Sequence, residues 1–117
     1  MNRREFSKNI STLILRMIAD GNSPIIDYVL RSTEEQKRMF AQGLSKLDGV
    51  NKLSAHQKAI AADIYFVVTN PDLSVEVDFN CDKTADLQRK YHDIWVSMGG
   101  KPIIESPTFR DLDHYEG

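Results

Sequence analysis

The stretch AIAADIYFVV, residues 59–68, decides how this chain folds. It is built of small, β-branched and aromatic residues, and it is apolar on both sets of alternating positions. A strand of that kind is covered on both faces, so the stretch predicts a central strand buried inside the domain. Asp63 breaks the pattern. A carboxylate inside such a strand is costly unless it is paired or bound to a cation.

Working outward, TNPD at 69–72 predicts a turn and SVEVDF at 74–79 an alternating strand, so the two strands form a hairpin. On the other side, LSKLDGVNKLSA at 44–55 is polar and turn-rich and predicts a surface loop. STEEQKRMFAQG at 32–43 opens with Ser32 or Thr33 as N-cap, carries acids in its first turn and stops at Gly43, which predicts a short helix. IIDYVLRS at 25–32 reads as a strand ending near Arg31.

From Arg3 to Asp20, Phe6, Ile10, Leu13, Ile14, Met17 and Ile18 recur at helical spacing before Gly21, which predicts an amphipathic helix. In DKTADLQRKYHDIWVSMGG, 82–100, the stripe Leu87, Tyr91, Ile94, Trp95 and Met98 predicts a third helix stopped by Gly99 and Gly100. His92 is expected on its surface. The remaining KPIIESPTFRDLDHYEG, 101–117, is read as a proline-containing loop followed by a closing strand at 112–116. These elements predict one α+β domain over residues 1–117, with helices packed on one side of a small, mainly antiparallel sheet.

The chain has 117 residues, 41% hydrophobic and 27% charged, which suits one domain with its own core. Its net charge is −2 and its basic residues are scattered, which argues against nucleic acid as a partner. No apolar run reaches the ~20 residues of a membrane span. STLILRMIA carries Arg16 and no cleavage pattern follows it, so the expectation is synthesis in the cytoplasm without a signal peptide. A lone cysteine, Cys81, excludes an intrachain disulfide and reads as a small, partly buried residue.

His56 and His114 stand far apart in sequence, on either side of Asp63. Histidine and carboxylate are the ligand types of a catalytic zinc site, which takes three protein ligands and leaves a position open. Six residues separate Asp63 from His56 beyond one helical turn, so a loop would deliver His56 and a strand Asp63 to the same edge of the sheet. The small Ala59, Ala61 and Ala62 would let the backbone pass close to its neighbours. On residue type alone the three also suit solvated or capping positions.

SAHQKAIAAD, 54–63, resembles the Ser-x-His-x-x-Gly-x-Ala-x-Asp signature of the M15 zinc peptidases, the group of D-alanyl-D-alanine peptidases and phage L-alanyl-D-glutamate endolysins. Ser54, His56, Ala61 and Asp63 match, and Ala59 stands where glycine is usual. Asp111 and His114 match the family's acidic residue three positions before a histidine. LRSTEEQKRMFAQGLS resembles its Tyr-Arg-Ser-x-x-x-Gln stretch, with Arg31, Ser32 and Gln36 in place. Residues 100–109 lack the Trp-Gly-rich stretch common in the family.

The resemblance implies a Hedgehog/DD-peptidase-like fold and a Zn²⁺ ion held by His56, Asp63 and His114. It implies Asp111 as general base and Arg31 as the neutraliser of the developing oxyanion. Ser54 and Gln36 would bind substrate. Glu116, two residues from His114 on the same strand face, is a rival base. The implied substrate is the peptide stem of peptidoglycan, cut at the L-alanyl-D-glutamate bond after release to the cell wall; no stable membrane association is expected, and the sequence leaves the oligomeric state open with a monomer favoured. The alternatives are a D-alanyl-D-alanine carboxypeptidase or dipeptidase, and a non-catalytic binding module on the same fold.

Overall fold

Strand β2, Ala61–Thr69, is the axis of the molecule. The computed structural model describes residues 1–27, 29, 32–45, 47–49, 55–58 and 60–117. Arg31, Ser54 and Ala59 lie outside the described residues. Along the chain the elements run α1 (Arg3–Ala19), β1 (Pro24–Ile26), α2 (Thr33–Ala41), β2, β3 (Val75–Val77), α3 (Ala85–Ser97), β4 (Ile104–Glu105), β5 (Arg110–Asp111) and β6 (His114–Glu116). This is an α+β fold. No helix among the described residues is long and apolar enough to cross a membrane.

All of β2's partners are antiparallel to it: β1 along Ile64–Phe66, β6 along Ala61–Asp63 and β3 along Val67–Thr69. The hydrogen bonds sort these partners by side. Asp63 O and Val67 N bond to the β1 segment, at Asp27 N and Ser23 O. Ile64 N and Phe66 O bond on the other side, to Asp113 O and Asp78 N. Since a strand residue directs its N–H and C=O to one side, β6 and β3 lie end to end along one edge of β2. The Gln88 side chain fills the gap between them by donating to Ile64 O at 2.7 Å.

Side chains then divide by parity. Ala62, Ile64 and Phe66 point into the core, where they meet Phe6, Ile10, Leu13 and Met17 of α1 and Tyr91 and Trp95 of α3. Asp63 and Tyr65 take the opposite face. There Met39 of α2 lines a cavity with them, so the helices flank both faces rather than one. Strand β1 is described over Pro24–Ile26, and the later part of the strand expected to end near Arg31 falls largely outside the described residues; β4 pairs with β5 in a small hairpin where a loop was expected.

Helix α1 is capped by Asn2, whose Oδ1 accepts from Glu5 N at 2.8 Å, and α2 by Ser32, whose Oγ accepts from Glu35 N. Helix α3 holds a correction. His92 is not on the helix surface but 1% exposed. Its ring stacks on Tyr115 at 4.0 Å between centroids, and its Nε2 donates to Leu112 O at 2.7 Å. Trp95 Nε1 donates to Glu116 O at 2.8 Å. Gly100 follows so closely that a Cβ there would lie 2.1 Å from Trp95 Nε1, which requires glycine at that step. Helix α3 thus holds the segment 112–116 from behind with ring nitrogens.

Candidate metal centre

The register of β2 and β6 sets Asp63 opposite His114 and Ala61 opposite Glu116, all four on the face away from α1 and α3. His56 arrives from the turn 55–58 that precedes β2, where Ile60 N donates to Ala55 O. Ala61 and Ala62 are fully buried under β6, as the close passage of backbones demands. The centre lies on the face of the central strand, not at the sheet edge expected from sequence.

Three atoms converge there. His56 Nε2 lies 3.1 Å from Asp63 Oδ1 and 3.1 Å from His114 Nδ1, and the latter lies 3.4 Å from Asp63 Oδ1. Three donors on a tetrahedral ion with bonds of about 2.0–2.1 Å stand about 3.3–3.4 Å apart, so this triangle needs adjustments of a few tenths of an ångström to accept one. His56, Asp63 and His114 are the one group of this kind among the described residues. The donor set, two imidazoles and one carboxylate, fits a first-row divalent ion and leaves a position open.

The triangle sits in the wall of a cavity of about 410 Å³. Asp111, Asp113, Glu116 and Tyr65 line it too, with Leu44, Ile104 and Phe109 at an apolar, exposed rim. Burial raises the Asp63 carboxyl, but hydrogen bonds from His114 and His56 outweigh it and hold the group at about 2. Burial lowers His114, while the Asp63 hydrogen bond, the Asp111 charge and Glu116 lift it to about 9. A cation entering the triangle therefore displaces a proton from His114.

Asp111 and Asp113 behave differently. Burial raises both, and the neighbouring charges of Asp111 and Asp63 help push Asp113 to about 7. Tyr65, on the neighbouring strand, partly offsets the rise at Asp113. Glu116 is held the other way. Burial raises it, but Lys101 and His114 keep it below the usual range. Its Oε2 lies 2.5 Å from Lys101 Nζ and its Oε1 3.2 Å from His114 Nε2.

Of the residues singled out in the sequence, His56, Asp63, Asp111, His114 and Glu116 meet around this cavity. Gln36 is fully buried, and its Nε2 donates to Ser45 Oγ and Leu47 O at 2.7 Å each, so it shapes the cavity wall through its neighbours. Arg31 and Ser54 lie outside the described residues. Asp113, Tyr65 and Lys101 were not singled out. Tyr65 was within reach, since two residues after Asp63 on a strand means the same face. In comparisons with known proteins, no family model and no curated protein matches the chain.

Proposed function

We propose that the chain is a zinc-dependent peptidase acting on the peptide stems of peptidoglycan, at the L-alanyl-D-glutamate bond, as the sequence resemblance to M15 peptidases implies. The observation that carries this reading is the triangle of His56 Nε2, Asp63 Oδ1 and His114 Nδ1, 3.1–3.4 Å on a side, in one cavity with Asp111. A zinc ion held by these three residues would supply Lewis acidity toward the scissile carbonyl and make water acidic enough to attack near neutral pH.

The other work belongs to the chain itself. Asp111 takes the proton from the attacking water as its oxygen adds to the carbonyl carbon. It returns that proton to the leaving amine as the C–N bond breaks. Burial raises the Asp111 carboxyl, which brings its proton affinity closer to that task. Arg31 stabilises the oxyanion in this reading, and the apolar rim of Leu44, Ile104 and Phe109 excludes water from the bound peptide.

The test joins metal content to product chemistry. Purified protein is expected to carry about one zinc per chain and to release new amino-terminal D-glutamate from purified peptidoglycan, identified by mass spectrometry. His56→Ala with His114→Ala should abolish both. A parent that holds zinc but releases no stem-peptide fragment would refute the peptidase reading.

A further inference from the structure

We infer that Glu116, braced by Lys101, is a positioning residue that holds the His114 imidazole in the ligating orientation and so sets the affinity of the centre for its ion. The inference rests on the metal-centre reading above. It concerns the second ring nitrogen of His114, not the one that faces His56 and Asp63.

His114 has two ring nitrogens in different company. Nδ1 faces His56 Nε2 and Asp63 Oδ1, at 3.1 and 3.4 Å. Nε2 faces Glu116 Oε1 at 3.2 Å. An ionised carboxylate only accepts, so the pairing places the ring hydrogen on Nε2 and leaves the Nδ1 lone pair for the ion. The same hydrogen bond makes Nδ1 a stronger donor toward a cation.

Glu116 is itself fixed at both ends. Its backbone carbonyl accepts from Trp95 Nε1 and from Lys101 N, each at 2.8 Å, and its Oε2 is paired with Lys101 Nζ. Ala61 lies opposite it across the strand pair. A small residue there leaves the glutamate side chain room to lie along the strand toward His114. Both carboxylate oxygens are thereby engaged by neighbours. That is the arrangement of an orienting group and not of a base, which needs an oxygen turned to water.

The measurement is zinc affinity, read by competition with a chromophoric chelator and without reference to hydrolysis. Glu116→Ala should weaken zinc binding about 10-fold to 100-fold, the usual worth of such an outer partner. Glu116→Gln keeps an acceptor for Nε2–H without the charge, and should recover part of that loss. Lys101→Met should cost a few-fold, since Lys101 is 63% exposed and its pairing is screened by water. The ion-free thermal transition of each variant should stay within a few degrees of the parent, which separates positioning from folding.

Zinc binding by Glu116→Ala as tight as the parent's would overturn the positioning role while leaving the centre intact. So would a Gln variant as weak as Ala. A parent that takes up no zinc would fail the centre itself, a different and recognisable result.

Discussion

The carboxylates around the cavity differ in what surrounds their oxygens, and the proposed roles follow that difference. Asp63 accepts from the histidines, Glu116 is tied to His114 and Lys101, and Asp111 lines the cavity as a buried carboxyl whose proton affinity burial raises. Asp111→Asn keeps the shape and removes the basicity. It should retain about one zinc per chain and its thermal transition, while kcat on peptidoglycan falls roughly 10²-fold to 10⁴-fold. Near-parental hydrolysis by Asp111→Asn would move the base elsewhere, to Asp113 or Glu116 among the carboxyls that line the cavity. Residue type made His56, Asp63 and His114 candidate ligands, and the resemblance to a family signature singled out the set and Asp111. Asp113 was not singled out, because its place depends on the turn between β5 and β6 and on a tyrosine contributed by another strand.

At the scale of elements, the decisive contact is α3 against the segment 112–116. Its aromatic stripe was legible from helical periodicity, and Tyr91 and Trp95 are fully buried. Periodicity of apolar residues could not reveal Gln88 and His92. They are buried to satisfy backbone carbonyls that the break between β3 and β6 leaves without a strand partner, a need set by topology. Tyr115 OH in turn donates to Gln88 Oε1 at 2.5 Å, which closes the network.

His92 gives this seam a signature in acid. Burial is the first cause that lowers it, to about 4, partly offset by the Leu112 carbonyl and opposed again by the His114 charge. The folded value lies below the unfolded value of about 6.5, so the unfolded chain binds the proton first. The stability due to a neutral His92 is complete above about pH 6.5 and is lost as pH falls toward 4. His92→Gln retains an amide to meet Leu112 O and does not titrate. Between pH 7 and pH 4 the parent should lose roughly 3 kcal/mol more than this variant in urea unfolding, the remaining groups cancelling in the difference. Equal acid slopes would show that His92 is protonated in the folded protein.

At the scale of the molecule, the central place of β2 followed from its two-sided apolarity, and the hairpin with β3 from TNPD. The β4–β5 hairpin was hidden by Pro107 in its turn and by strands only two residues long. That α2 faces the cavity while α1 and α3 face the core is a matter of tertiary packing, which patterning alone does not specify. An ion in the centre binds the native state and not the unfolded chain. Zinc at a thousandfold excess over its dissociation constant should then add about 4 kcal/mol, and a chelator should lower the thermal transition by several degrees. A zinc-loaded protein with the same transition after chelation would show that the ion is not coupled to folding.

The end-to-end seating of β6 and β3 along β2 also bears on how the chain opens. His56 and His114 are separated by 58 positions, and only β6 brings them together. An ion between them is a reversible staple across that long loop, of the sort that restricts the open chain more the longer the loop it closes. Escape from the native state would then begin with release of the staple. Unfolding measured by rapid dilution into denaturant should slow as free zinc rises, and the backbone amides of the β2–β6 ladder should become harder to exchange with solvent than those of the β2–β3 hairpin, which closes without it.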